Sequence, residues 1–144
     1  MKAALFYRIA AVLLVLFAVA HTLGFSQSDP GWHVGPLLAL MQSLHFDVLG
    51  SSRTYWDLFV AAGFTVGVFY LFAAVVAWQL GSVPVATLSS LRIIAWGFVI
   101  CFAGVTVLSY KYLFILPVFF SFLITACLTA AAWLAGRREA RVRT

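Results

Sequence analysis

The stretch Leu58–Leu80 reads LFVAAGFTVGVFYLFAAVVAWQL and contains no Asp, Glu, Lys or Arg. The gap around it, from Asp57 to Arg92, encloses 34 uncharged residues. About 20 apolar residues, rising ~1.5 Å each, cross a hydrocarbon core of roughly 30 Å. Backbone N–H and C=O groups in lipid must bond within their own segment, so such a run has to be helical. Gly81-Ser82-Val83-Pro84 interrupts the gap with turn-forming residues. The spacing therefore predicts a helix over 56–80.

The same reading extends outward in both directions. Arg8 to Asp29 encloses 20 uncharged residues, Arg92 to Lys111 encloses 18, and Lys111 to Arg137 encloses 25. These gaps predict helices over 5–25, 91–109 and 112–135. The expected fold class is an all-α membrane protein, a four-transmembrane-helix bundle forming one domain over 1–144. Composition agrees, since 65% of the chain is hydrophobic and 9% charged, whereas soluble domains run near half apolar and a quarter charged. For the first span a competing reading is a cleaved leader. Lys2 and Arg8 precede the apolar run, and Ala18-Val19-Ala20 fits a small-x-small cleavage site. The run continues to Phe25, which favours a permanent span.

Charge placement sets direction. With four crossings, the side of both termini holds Lys2, Arg8, Arg92, Arg137, Arg138, Arg141 and Arg143, against Arg53 and Lys111 on the other. The positive-inside rule places both termini in the cytoplasm. The net charge of +5 is thus a membrane-flanking anchor, and with no accompanying motif it does not indicate nucleic-acid binding. Cys101 and Cys127 form no Cys-x-x-Cys pair and read as small buried hydrophobes.

The loop from Ser26 to Tyr55 is the one long connection. After the turn signal Asp29-Pro30-Gly31 it carries Leu37, Leu40, Met41, Leu44 and Val48 at helical spacing, opposite Gln42, Ser43, His45 and Asp47. This predicts a short helix lying in the outer interface. A tight turn is expected around Ser109-Tyr110-Lys111, which makes the third and fourth spans antiparallel neighbours.

Lipid supplies no hydrophobic drive between helices, so small residues mark close packing. Gly63 and Gly67 form a Gly-x-x-x-Gly that suits a homo-oligomer face as well as packing within the chain. Gly97, Cys101 and Gly104 line one side of the third span, and Ala10, Ala11 and Ala18 thin the first. Ser121, Thr125 and Thr129 share one face of the fourth span, either lining a polar path or bonding their own backbone. Pro117 is expected to loosen or kink that helix near its outer end.

No Asp, Glu, Lys or Arg lies at mid-membrane depth, which counts against a proton-driven transporter or an ion channel. Ionisable and aromatic residues gather instead at the outer helix ends. The candidate ligand-binding set is His21, Arg53, Tyr55, Trp56, Asp57, Tyr110 and Lys111. Within it His21 and Asp57, assisted by Tyr55, are the candidate acid–base pair of an enzyme. The structural alternative has Asp57 capping its helix and pairing with Arg53 or His21. His21, His33 and His45 match no metal-ligand spacing, so no metal is expected, and no cofactor is named by the residues.

The segments Met41–Gly50, Arg53-Thr54-Tyr55-Trp56-Asp57-Leu58-Phe59 and Gly63-Phe64, with His21-Thr22-Leu23-Gly24 and Trp78-Gln79-Leu80, resemble an uncharacterised family of small bacterial four-helix inner-membrane proteins. Thr54 stands where Ser is expected. The resemblance implies topology and bacterial origin but brings no activity. More remotely the layout is similar to DoxX-like proteins and to membrane sterol isomerases, whose intramembrane acidic pattern is missing here. The residues favour a non-enzymatic accessory subunit or a binder of a small lipophilic molecule, working at the periplasmic end. The alternative is an isomerase-like enzyme on a lipid-soluble substrate.

Overall fold

The computed structural model describes residues 2–142, with side chains throughout except at 85, 86, 89 and 138–142. The basic cluster of Arg138, Arg141 and Arg143 therefore lies outside the described side chains. Helices α1 (Lys2–Gly24), α2 (Gly35–Ser43), α3 (Tyr55–Leu80), α4 (Val85–Ser90), α5 (Arg92–Tyr112) and α6 (Ile115–Val142) follow in order, with strands β1 (His45–Val48) and β2 (Ser51–Thr54) between α2 and α3. Four segments are long and apolar enough to cross a bilayer: α1, α3, α5 and Ile115–Arg137 of α6. This is the all-α four-helix membrane fold that the charge gaps predicted.

Helix ends differ from the charge gaps in one consistent way. α1 already runs at Lys2, α5 continues through Ser109-Tyr110-Lys111 to Tyr112, and α6 continues beyond Arg137. A charge marks where lipid ends, but Lys and Arg are good helix formers and do not stop a helix. Lys111, in the last turn of α5, also suits the negative end of the helix dipole. The link between α5 and α6 is consequently Leu113-Phe114, closed by the Leu113 N–H donating to Ser109 C=O at 2.9 Å. α6 starts only at Ile115, so Pro117 falls in its first turn, where its missing N–H costs nothing and the kink expected near the outer end has no cause.

By contacts the chain divides into two compact units: Met1–Phe17 with Tyr70–Thr144, and Ala18–Phe69. In the first unit, α5 and α6 pack as a neighbouring pair with α4 against both. Its core is rich in small residues: Ala10, Ala11, Ala73, Ala74, Ala77, Ala95, Ala131 and Ala132 are buried around Tyr7, Leu14, Ile124 and Leu128. Alanine brings backbones close, which is how helices gain van der Waals contact where hydrophobic drive is absent. Phe17 meets Tyr70 edge-on at 4.8 Å and stacks on Phe120 at 5.4 Å, filling the wider space. Gly81, just past α3, approaches α1 so closely that a Cβ would lie 3.1 Å from the Ala4 carbonyl oxygen.

The hydroxyls of α6 are bonded to their own helix. Ser121 donates to Val118 C=O, Thr125 to Ser121 C=O and Thr129 to Thr125 C=O, at 3.1, 2.8 and 2.8 Å. Thr106 of α5 meets Thr125 hydroxyl to hydroxyl at 3.0 Å. Each hydroxyl of the stripe thus has an acceptor on its own helix, and Thr125 in addition lies against the Thr106 hydroxyl of α5. Gly97 and Gly104 behave differently from expectation, for a Cβ added to either meets nothing within 4 Å. That face of α5 is open, and Cys101 on it is exposed.

The second unit holds α2 and the hairpin. The predicted loop helix ends at Ser43, so Leu44, His45, Asp47 and Val48 lie beyond it. β1 and β2 pair antiparallel with His45 opposite Thr54 and Val48 opposite Ser51. Leu49 and Gly50 form the two-residue turn with φ of 48° and 81°, the sign that matches the right-handed twist of a hairpin. Here too the Gly-x-x-x-Gly of α3 finds its partner: a Cβ on Gly63 would collide with the Phe25 ring, and one on Gly67 would lie 2.6 Å from Thr22 Oγ1. The motif serves packing within the chain.

Candidate functional site

Five of the seven residues expected at the site fall in the second unit. Thr54 is the N-cap of α3 and Asp57 its third helical residue, a reciprocal pair of the Ser/Thr-x-x-Glu kind. The Thr54 N–H donates to Asp57 Oδ2 at 2.8 Å, and the Asp57 N–H donates to Thr54 Oγ1 at 3.1 Å. Two backbone donors that would be orphaned at a helix start are satisfied in this way. Asp57 thus caps its helix, and its partner is Thr54. Thr54 itself is buried, although the sequence reading gave it no role; the Thr-x-x-Asp spacing was the available signal.

The hairpin is fastened to the same turn. His45 lies opposite Thr54 in the strand register, and the Phe46 ring meets Tyr55 at 5.0 Å. Arg53 donates from Nη1 to the Ser52 carbonyl at 2.8 Å, and His45 Nδ1 lies 2.9 Å from the Ser43 carbonyl. Trp56 is half-buried and meets Phe59 at 5.6 Å. Tyr55, which the enzyme reading needs as an assistant, is exposed beside Phe46.

His21, half-buried in the last turn of α1, has its Nε2 at 3.1 Å from the Gly63 carbonyl oxygen. A carbonyl only accepts, so Nε2 carries the proton in this contact. The imidazole also stacks on Phe25 at 5.6 Å, and Phe25 meets Phe59 and Phe64 at 5.8 and 5.2 Å. The glycine at 63 is what admits this arrangement, because Phe25 occupies the space a side chain would take. Neither Phe25 nor the Gly63 carbonyl was singled out from the sequence; only the Gly-x-x-x-Gly spacing pointed there.

Tyr110 and Lys111 belong to the first unit, at the end of α5. Both are exposed, and Lys111 Nζ stands 5.0 Å from the centroid of Tyr112. Among the described residues no three His, Cys, Asp or Glu side chains gather into a set that could hold a metal.

The chain matches no protein-family model, no curated protein and no solved structure. Function is therefore read from these side chains alone, since a four-helix layout by itself carries none.

Proposed function

We propose that the chain is an integral protein of a bacterial inner membrane, with both termini cytoplasmic, that works by binding and not by catalysis. In this reading it is an accessory subunit whose periplasmic segment, residues 26–55, docks on another membrane protein. The observation that carries the reading is the use made of the polar groups. Asp57 holds the Thr54 N–H and His21 holds the Gly63 carbonyl, whereas general acid–base catalysis needs groups aimed at a substrate. Among the side chains the segment leaves exposed are five large aliphatic ones: Leu37, Leu40, Leu44, Val48 and Leu49. Exposed apolar surface of this kind suits a protein partner. The likeness of residues 41–59 to small bacterial inner-membrane proteins supports the same localisation.

A second reading, a binder of a small lipophilic molecule, is favoured by the cluster of Phe25, Phe59 and Phe64 beside His21. Purification from native membranes in mild detergent, followed by mass spectrometry of proteins and small molecules, separates the two. The docking reading expects a stoichiometric membrane protein with the natural chain that is lost from Leu37→Gln/Leu40→Gln. A reproducible lipophile with no protein partner would move the assignment to the second reading. A partner retained undiminished by the double variant would overturn docking through this segment.

A further inference from the structure

The first unit carries two apolar grooves of one design. The first, about 490 Å³, runs between α1 and α3 and is lined by Val12, Val15, Leu16, Leu71, Val75 and Trp78 among others. The second, about 670 Å³, lies along α6 beside Phe6 and includes Phe122, Ala126, Ala130 and Trp133. Both volumes fall within the ~300–1,000 Å³ usual for small-molecule sites. Each groove has a tryptophan near one end with an arginine over it. Arg8 Cζ stands 5.5 Å from the Trp78 ring, and Arg137 Cζ stands 5.6 Å from the Trp133 ring.

These arginines are placed by helix periodicity. Arg8 precedes Ala11 and Val12 by one turn on the face that lines the first groove, and Arg137 follows Trp133 by one turn on the second. The Arg8 stem also rests where a Cβ on Gly81 would come within 3.3 Å of it. A guanidinium within cation–π range of an indole still has N–H donors that can meet phosphate oxygens. From Arg8 to Leu16 α1 rises about 12 Å, near the ~15 Å that one leaflet contributes to the hydrocarbon core. Charge complementarity points the same way: on the side of the termini the chain has one acidic residue, Glu139, against seven basic ones.

We infer that these grooves are sites for anionic phospholipid of the leaflet on the side of the chain termini, with one acyl chain along each groove and the phosphate on Arg8 or Arg137. The Arg–Trp pair selects the headgroup and the groove immobilises the chain. This site uses none of the residues of the docking segment, so either assignment can fail without the other.

The test uses the full chain in nanodiscs of phosphatidylcholine containing a minor share of phosphatidylglycerol, with spin-labelled lipids reporting immobilisation by electron paramagnetic resonance. The natural chain is expected to immobilise phosphatidylglycerol over phosphatidylcholine by about fivefold per site, the factor for one basic residue near an anionic surface. Arg8→Gln/Arg137→Gln should lose that preference while still immobilising lipid, and Arg8→Lys/Arg137→Lys should keep most of it. Val75→Trp, a change at an exposed groove wall, should reduce immobilisation of both lipids, with circular dichroism confirming retained helix. Equal retention of the two headgroups by the natural chain, or an unchanged preference in the Gln variant, would overturn the headgroup assignment. Undiminished immobilisation in Val75→Trp would overturn the α1/α3 groove as the seat of the acyl chain.

Discussion

Thr54 and Asp57 exchange hydrogen bonds across the start of α3, each donating its backbone N–H to the other's side chain. The long connection thereby ends on a fixed point, because the residue that closes β2 is also the residue that starts the helix. Losing an N-cap hydroxyl costs about 1 kcal/mol. Thr54→Ala should therefore lower the thermal midpoint in detergent, while Thr54→Ser should leave it close to the natural value. Asp57→Asn keeps an acceptor and should be milder than Asp57→Ala. Equal midpoints for Thr54→Ala and the natural chain would show that the cap is not a determinant.

The glycines of α3 and α5 should respond in opposite senses. Gly63→Ala must displace the Phe25 ring, and Gly67→Ala crowds the Thr22 hydroxyl, so each should destabilise by about 1–3 kcal/mol, the range for overpacking. Gly97→Ala and Gly104→Ala meet open space and should be neutral, or gain from the better helix propensity of Ala. Steric-trap or denaturant unfolding of the four variants reads the contrast directly.

The Thr106–Thr125 pair should couple weakly. A double-mutant cycle with Thr106→Val and Thr125→Val should return about 0.6 kcal/mol, the mean for hydrogen bonds between membrane helices. A coupling near zero would mean that the back-bonds to Phe102 and Ser121 satisfy both hydroxyls alone.

Tyr7 is fully buried, and its hydroxyl has no hydrogen-bond partner among the described residues. An unmet buried hydroxyl works against stability, so removing it removes a penalty. Tyr7→Phe should be neutral or stabilising by thermal midpoint, and a clear loss would reveal a partner for that oxygen.

Leu49 adopts φ 48° at the tip of the hairpin with its side chain fully in solvent. A left-handed conformation costs a residue with a Cβ roughly 1–2 kcal/mol. Leu49→Gly should therefore slow amide exchange in β1 and β2. If the tip is part of a docking surface, the same change should weaken capture of the partner, giving stability and binding opposite signs.

The four spans were legible because charge is expensive in lipid, and four long gaps between charges survive in the composition. Their ends were less legible, since Lys2, Lys111 and Arg137 stop the membrane without stopping the helix. In the loop, Leu37, Leu40 and Met41 announced α2 correctly. Leu44 and Val48 continue the same spacing and concealed the hairpin; a four-residue step fits strand alternation no worse than helix over so short a run. Ser51-Ser52-Arg53 has little strand propensity, so only Leu49-Gly50 marked the turn. Of the site, the capping role of Asp57 was readable from its place at a helix start. The acceptor of His21 was not, because it is a backbone carbonyl, and no side-chain pattern encodes which carbonyl a fold will present.

The self-bonded hydroxyls of α6 have a consequence for how the chain is made. Ser121, Thr125 and Thr129 each find an acceptor three or four residues back on their own helix. Polar side chains satisfied within one segment do not have to wait for a neighbour. The last span can thus leave the translocon for lipid as a single helix and meet α5 afterwards, so its biogenesis does not depend on the order in which the bundle closes.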